Sequence, residues 1–233
     1  MATDNFPEKY RDHVLGLLDE EERARALRFV FPHDALAFAV GRALVRRILA
    51  AHRPPPSGGW RFVMNPYGRP ELPDPGDPPL SFSLSHCRGL VAASCAPARA
   101  IGIDVERLDR DCAFLDIARS FYSPAEVEAL AALPPERRRE AFFDFWTLKE
   151  SYIKARGLGL SIPLAEFSFT LDPLAIRFSA QIDDDPARWQ FWQTHPVVGC
   201  RLAAAVSRTA GEQIGMTCRL LPVEVLLGTA PLE

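Results

Sequence analysis

The segment 142–157 constrains the fold of this chain more than any other. Its apolar residues recur at helical spacing, and the glycine at its end stands where a helix C-cap is expected. Because residues three and four apart are neighbours on a helix, one face should point away from the most apolar side. That face is formed by Phe143, Thr147, Glu150 and Lys154. Taken alone, Glu150 and Lys154 are typical of an ordinary salt bridge on a helix surface.

The composition is that of a globular protein. The chain has 233 residues, 48% of them hydrophobic, which is enough for a substantial core. Its formal net charge of −3 is nearly balanced and does not point to nucleic acid or a membrane surface as a partner. We found neither a signal-peptide pattern nor an apolar run long enough to span a membrane, so we expect a cytoplasmic protein. The five cysteines are scattered without a CxxC motif and should be reduced.

Helical and strand patterns follow one another twice along the chain. Helical spacing predicts helices at 20–28, 34–52, 114–121 and 124–133, with a break at 134–140 before the helix described above. Alternation predicts strands at 60–63, 80–85, 90–95, 100–106, 167–171, 175–181, 188–194 and 198–207, and a last one near Cys218. The sequence therefore predicts an α+β protein with two packed subdomains, residues 1–107 and 108–233.

Two carboxylates lie on one face of the predicted strand 100–106. Alternation puts Gly102, Asp104 and Glu106 on the face opposite to the isoleucines and the valine. Like charges on one face repel, so a cation or solvent must relieve them. Mg²⁺ prefers hard oxygen ligands in company with a substrate phosphate, and Glu150 is a plausible third carboxylate. An exposed strand end that leads into a charged loop explains the same pair without any metal.

Ser85 and His86 at the end of the strand 80–85 allow three interpretations. A Ser-His-Asp hydrolase lacks support, because the G-x-S-x-G pattern is absent and adjacent strand residues project to opposite faces. A phosphate-binding histidine beside a serine hydroxyl is equally compatible with the sequence. A buried, hydrogen-bonded histidine at a strand end is the simplest structural interpretation.

Four motifs occur in a specific order along the chain. They are Gly68-Arg69-Pro70, Phe82-Ser83-Leu84-Ser85-His86, Ile101-Gly102-Ile103-Asp104-Val105-Glu106 and Phe145-Trp146-Thr147-Leu148-Lys149-Glu150-Ser151-Tyr152-Ile153-Lys154. The ordered set resembles the 4′-phosphopantetheinyl transferases of the surfactin-synthetase-activating type. The resemblance extends from about Arg25 to about Val206 and so covers most of the chain.

This resemblance implies a fold, a reaction and partners. The fold would be a monomeric pseudo-dimer of two similar α+β halves, with coenzyme A in the cleft between them. The reaction would move the 4′-phosphopantetheine arm of coenzyme A to a serine of an apo acyl or peptidyl carrier protein and release 3′,5′-ADP. The cofactor would be Mg²⁺, with Mn²⁺ as an alternative. The carrier would serve fatty acid, polyketide or nonribosomal peptide synthesis.

The resemblance also implies roles for individual residues. Asp104, Glu106 and Glu150 would be the metal ligands, with Glu150 also the general base for the carrier serine. Lys154 would meet the phosphate and Lys149 belongs to the same motif, whereas Ser85 and His86 would contact the 3′-phosphate of coenzyme A. Arg69 would be the basic residue of the Gly-Lys-Pro turn. At Ala37 the usual family cation is missing, which leaves Arg25, Arg28 or Arg42 as substitutes.

The carrier-binding surface and the class of function each have two interpretations. A basic and partly apolar patch would complement an acidic carrier, and the candidates are Arg137–Arg139 beside Phe142 and Phe143, and the segment 119–122. A solvated charge run explains the three arginines equally well. The rival to an enzyme is a non-catalytic module that binds coenzyme A or another nucleotide, although all three carboxylates and Lys154 are present.

Overall fold

Two long helices, each packed on antiparallel strands, form the framework of the protein. The structure is a computed structural model that describes residues 1–4 and 6–228. Its α-helices are α1 (Arg11–Gly16), α2 (Glu20–Ala26), α3 (Pro32–His52), α4 (Phe114–Phe121), α5 (Pro124–Ala132) and α6 (Pro135–Arg156). Its strands are β1 (Val63–Met64), β2 (Pro70–Glu71), β3 (Leu80–Cys87), β4 (Leu90–Pro97), β5 (Ile101–Arg107), β6 (Phe167–Leu171), β7 (Leu174–Phe178), β8 (Trp189–Thr194) and β9 (Cys200–Ser207).

All strand pairs in the described residues are antiparallel, as expected for an α+β fold. The hairpin β3–β4 packs against α3, and the three-stranded sheet β5-β9-β8 packs against α6. The pairs β1–β2 and β6–β7 are separate small hairpins. A helix packed on antiparallel strands thus occurs in both halves of the chain. Because β5 pairs with β9, this strand belongs to the sheet of the C-terminal half, and the division at residue 107 stays a prediction.

Serine hydroxyls join the two sheets where β3 runs beside β5. Ser83 Oγ accepts a hydrogen bond from the Ile103 N–H at 3.1 Å, and Ser85 Oγ accepts one from the Val105 N–H at 3.4 Å. These side chains supply partners for backbone donors that would otherwise be buried and unpaired. The small polar residues of β3 therefore place it directly against the strand that carries the carboxylates.

Gly102 brings α6 into contact with the backbone of β5. A Cβ built on Gly102 would lie 2.0 Å from the carbonyl oxygen of Ser151 and 2.4 Å from the amide nitrogen of Ala155. Any larger residue would push the helix away from the strand, because neither backbone can yield at such distances. The glycine therefore sets the distance between the acidic strand and the helix that carries Glu150 and Lys154.

Helix α6 is longer and more deeply buried than the sequence predicts. It begins at Pro135, so the predicted break at 134–140 is wrong: proline is well tolerated in the first turn of a helix. It ends at Gly157, whose positive φ of 69° and N–H bond to the Ile153 carbonyl form the predicted cap. Phe143 and Thr147 are fully buried, so the helix face that they share with Glu150 and Lys154 is exposed to solvent only in part.

Other sequence predictions differ from the structure at irregular segments. The predicted strand at 60–63 is reduced to the two residues of β1, and the structure has no strand between β9 and residue 228. Pro and Gly on both sides of this segment explain the first error, because proline cannot donate a backbone hydrogen bond to a neighbouring strand. The remaining predicted helices and strands are present, with ends shifted by a few residues. Among the described residues, no helix combines the length and hydropathy of a membrane span.

Candidate functional site

Asp104 lies at the centre of a polar cluster between β3, β5 and α6. Its Oδ1 accepts hydrogen bonds from the Ser85 hydroxyl at 2.8 Å and from the Lys154 ammonium at 2.6 Å. Lys154 Nζ also donates to Ser85 Oγ at 2.8 Å. Asp104 is only 4% exposed, and its Oδ2 is shielded from solvent without a hydrogen-bond partner. The site therefore holds a buried carboxylate that is only partly satisfied.

Glu106 and Glu150 bring two more carboxylates near Asp104. Burial raises the pKa of Glu106 to about 7, and repulsion from Asp104 adds to the effect. Burial also raises the pKa of Glu150, again with a contribution from Asp104. Glu106 Oε1 accepts a hydrogen bond from Arg110 Nη1 at 2.6 Å, within an ion pair. Three carboxylates from a strand and a helix thus share one electrostatic environment, whereas the role of Asp104, Glu106 and Glu150 as metal ligands stays a prediction.

The donor set suits a hard divalent cation in its chemistry. All three groups offer oxygen atoms, which Mg²⁺ prefers. Oδ2 of Asp104 has no hydrogen-bond partner and is therefore free to bind a cation. Their mutual repulsion would be relieved by a cation. However, no three His, Cys, Asp or Glu side chains in residues 1–4 and 6–228 are grouped closely enough to hold a metal ion as they stand.

A large cavity opens on the Glu106 side of this cluster. Its volume is about 940 Å³, and Glu106 and His86 are among the residues that line it. Partial burial lowers the pKa of His86, and the nearby Lys154 lowers it further. Glu150 and Lys154 instead line a smaller cleft of about 280 Å³. Lys154 therefore faces the smaller cleft, while Glu106, two residues from Asp104 on β5, faces the large cavity.

The structure reveals cations that the sequence interpretation missed. Arg88, Arg107 and Arg110 line the large cavity, as does His33. The sequence could have indicated Arg88 as a site residue, because it lies in the tight turn between β3 and β4, two residues after His86. Arg107 is the last residue of β5 and Arg110 follows that strand, in a run that the sequence shows only as a charged loop.

The expected cation near Ala37 has no single replacement. Ala37 itself lines the large cavity, so its position does face the site. Arg25, predicted to bind coenzyme A, lies on the exposed side of α2 with its guanidinium 5.2 Å from the ring of Phe38, and it is not among the cavity-lining residues. Arg42 is buried and forms an ion pair with Glu22. Arg42 therefore stabilises the protein interior, which corrects the prediction that it could replace the missing cation at Ala37.

Lys149 does not reach the site, and its predicted contact with coenzyme A is wrong. Its side chain is completely buried and its ammonium lies 2.8 Å from Glu126. It also donates to the carbonyl oxygens of Leu164 at 2.8 Å and Phe167 at 2.6 Å. All three ammonium donors are therefore used inside the core, and no donor is left for a ligand.

Arg69 likewise binds the protein rather than facing a phosphate. Its Nη1 donates to the carbonyls of Lys154 at 2.6 Å and Ala155 at 3.0 Å. Its Nη2 donates to Phe82 at 3.0 Å and Ile101 at 3.3 Å. The guanidinium thereby ties the end of α6 to β3 and β5, which corrects its predicted role as a coenzyme A contact.

Two alternatives from the sequence are weakened by the geometry. Ser85 Oγ donates to Asp104, whereas His86 faces the large cavity, so these residues do not form the Ser-His pair of a hydrolase. The predicted carrier patch at Arg137–Arg139 lacks its apolar part, because Phe142 and Phe143 are buried. In the second candidate, segment 119–122, Phe121 is 50% exposed.

Comparison with protein families gives a consistent result for both halves of the chain. A family model described as the 4′-phosphopantetheinyl transferase superfamily matches residues 100–207. A second, described as 4′-phosphopantetheinyl transferase, N-terminal, matches residues 7–97. The two matches together cover most of the described structure.

Individual relatives agree with the family models. The 4′-phosphopantetheinyl transferase HetI of a Nostoc species is 34% identical over 202 residues, which cover 86% of this chain and 83% of that protein. The 4′-phosphopantetheinyl transferase Sfp of Bacillus subtilis is 33% identical over 161 residues, 69% of each chain. A holo-(acyl-carrier-protein) synthase of Bacillus anthracis, solved in complex with CoA (3′,5′-ADP), matches 46% of this chain and 94% of its own, with 21% identity and a TM-score of 0.39.

The assignment rests on the sequence relatives, since the structural match is too distant to add to it. The HetI match covers 86% of this chain, and the two family models match residues 7–97 and 100–207. By this likeness the chain belongs to the 4′-phosphopantetheinyl transferases, enzymes that transfer the phosphopantetheine arm of coenzyme A to carrier proteins.

Proposed function

We propose that transfer by this enzyme depends on Mg²⁺ held by Asp104, Glu106 and Glu150, and that the acceptor is a serine of an apo acyl or peptidyl carrier protein. One observation carries this proposal. The buried Asp104 carboxylate has an unpartnered Oδ2 and lies beside two carboxylates whose pKa values are raised. Three negative groups kept together away from water require a cation to be stable in their ionised forms. Mn²⁺ is the alternative with the same oxygen preference.

The large cavity is the proposed site for the nucleotide end of coenzyme A. His86 with Arg88, Arg107 and Arg110 gives this cavity several donors suited to phosphate groups. Its volume of about 940 Å³ falls in the range of ordinary ligand pockets. Coenzyme A in this cavity would bring its pyrophosphate to the border formed by Glu106, Asp104 and Lys154. Bound Mg²⁺ would neutralise pyrophosphate charge there.

Two residues of α6 are proposed to act on the reacting groups. Glu150 takes the proton of the carrier serine, and its raised pKa makes it a better proton acceptor near neutral pH. The serine oxygen then forms a bond to the β-phosphorus while the bond to the 5′-phosphate oxygen breaks. Lys154 neutralises the negative charge that develops on the phosphate oxygens. The leaving group is 3′,5′-ADP.

The partner and the setting are also proposals. Carrier proteins are acidic, and the exposed Arg119 and Phe121 on α4 offer a basic and apolar surface. Glu150 lines the smaller cleft, through which we propose that the carrier serine enters. We expect the enzyme to act as a monomer in the cytoplasm and to serve fatty acid, polyketide or nonribosomal peptide carriers. A module that binds coenzyme A without transfer is the competing hypothesis.

Mass spectrometry of carrier proteins tests the proposal directly. Apo acyl and peptidyl carriers are incubated with the enzyme and coenzyme A, either with Mg²⁺ or with a chelator. The expected result is a mass gain of one phosphopantetheine arm that requires the metal. Transfer that persists in chelator would contradict the metal assignment, and binding of coenzyme A without any mass gain would favour the binding module.

Charge-neutral variants separate the proposed roles. D104N and E150Q should each reduce transfer by about 10²- to 10³-fold, as removal of a preorganised charge at a reacting phosphate does. The matched control is D183N, which removes an exposed carboxylate outside both cavities and should leave the rate unchanged. If E150Q still binds Mg²⁺ and transfers at the normal rate, Glu150 is not the base.

A further inference from the structure

Lys154 occupies an unusual place for a residue expected to bind phosphate. Its ammonium lies 2.6 Å from Asp104 Oδ1 and 2.8 Å from Ser85 Oγ, and so points at the carboxylate rather than at open space. Its side chain is 28% exposed, whereas that of Asp104 is 6% exposed. The lysine can therefore leave this position through solvent, but the carboxylate cannot.

Asp104 needs a positive partner at all times. A buried carboxylate without a counter-charge is costly, and here the carboxylates of Glu106 and Glu150 add repulsion. The Ser85 hydroxyl supplies a hydrogen bond but no charge. Among the described residues, Asp104 forms its ion pair with Lys154. Lys154 thus performs the task that a bound divalent cation would perform for the same carboxylate.

We propose that Lys154 is an exchangeable counter-ion of Asp104: its ammonium holds the carboxylate before a divalent cation binds and leaves it when the cation arrives. This inference rests on the proposed function, because it takes Asp104 as a metal ligand. It adds that metal binding and the freeing of Lys154 are one event. The ammonium becomes available to a phosphate only after it has been released from Asp104, so cation and phosphate binding are linked through this side chain.

The lysine content of the chain makes the exchange directly observable. The protein has three lysines, Lys9, Lys149 and Lys154. Lys9 is exposed, and Lys149 is fully buried in its ion pair with Glu126. In protein labelled with ¹³C- and ¹⁵N-lysine, Mg²⁺ is titrated without coenzyme A. The Lys154 side-chain signals should shift saturably with Mg²⁺, while those of the two other lysines stay in place as internal controls.

Two variants separate exchange from general electrostatics. K154M removes the competitor for Asp104, so Mn²⁺ binding measured by electron paramagnetic resonance should tighten about tenfold. The control R110Q removes a cation that lies 2.6 Å from Glu106, in the same carboxylate group. Because the Arg110 side chain is 48% exposed and solvent screens its pair with Glu106, its loss should tighten Mn²⁺ binding by less than about threefold.

The outcomes distinguish this inference from the proposed function. Mg²⁺ binding detected by calorimetry with no shift of the Lys154 signals would overturn the exchange, even if transfer is metal-dependent. Equal tightening in K154M and R110Q would also overturn it, since loss of any nearby positive charge would then suffice. No binding of Mg²⁺ to the free protein would overturn it too. Metal-independent transfer, in contrast, would contradict the proposed function itself.

Discussion

Lys149 and Lys154 lie little more than one turn apart on α6, yet their surroundings differ in every respect that matters for function. Lys149 pairs with Glu126, and both side chains are 0% exposed. Lys154 pairs with Asp104 and lines the smaller cleft, and its side chain is 28% exposed. Both are lysine–carboxylate pairs of similar length, so the distance between charges does not distinguish a structural pair from a functional one.

The decisive difference is how completely each carboxylate is satisfied. Glu126 accepts hydrogen bonds from the Ser123 N–H and hydroxyl and from the Phe169 N–H, in addition to its ion pair. Asp104 keeps one buried oxygen without a partner. A fully satisfied pair can only stabilise the fold, whereas a partly satisfied one retains capacity for a ligand.

The largest expected effect comes from breaking the Lys149 pair. K149M leaves the Glu126 carboxylate buried without a counter-charge, and we expect a loss of about 3–5 kcal/mol in the free energy of unfolding. Urea unfolding monitored by circular dichroism measures this loss. The double variant K149M/E126Q removes the uncompensated charge and should recover part of the stability. A loss below about 1 kcal/mol in K149M would mean that the pair does not hold the core together.

The contact between α6 and β5 gives the next largest effect. A Cβ in G102A would lie 2.0 Å from the Ser151 carbonyl oxygen, so the helix must shift, at a cost of about 1–3 kcal/mol in unfolding free energy. Transfer should fall as well, because Glu150 and Lys154 move away from Asp104. The control is G16A in α1, where a Cβ meets nothing within 4 Å. If G102A matches the control in both measurements, the close approach does not position the site.

A pH-dependent effect of intermediate size should distinguish the site from the core pair. The folded protein raises the pKa of Glu106 from 4.5 to about 7, so it holds this proton more tightly than the unfolded chain does. Without metal, stability should therefore fall as pH rises from 4.5 to 7 and then level off.

The variant E106Q removes this pH dependence. Its stability relative to the parent protein should rise by about 3 kcal/mol between pH 4.5 and pH 8 in chelator. Thermal unfolding at several pH values provides the measurement, and added Mg²⁺ should reduce the difference by binding the ionised carboxylate. A difference between the two proteins that does not change with pH would contradict the raised pKa.

The smallest effect belongs to an exposed ion pair. Arg11 and Glu8 lie 2.9 Å apart with side chains 38% and 82% exposed. We expect E8Q to change the unfolding free energy by no more than about 0.5 kcal/mol, since solvent screens the pair. The same urea titration measures it. A change comparable with that of K149M would show that burial does not set the strength of these pairs.

The sequence predicted the elements of the site better than their connections. Alternation along β5 correctly placed Gly102, Asp104 and Glu106 on one face, because strand geometry makes every second residue share a side. Helical spacing correctly placed Glu150 and Lys154 one turn apart on α6. The errors concern partners: Lys149 and Arg69 belong to recognisable motifs, but their donors bind Glu126 and backbone carbonyls from distant segments.

The sequence by itself determined the α+β architecture, the strand that presents two carboxylates and the family to which the chain belongs. These depend on local periodicity and on the order of motifs, which are properties of the chain alone. Only the tertiary structure decided that Lys149 is a core residue and that Lys154 holds Asp104. Burial and ion pairing depend on side chains that are remote in sequence, and the contact of α6 with β5 at Gly102 brings them together.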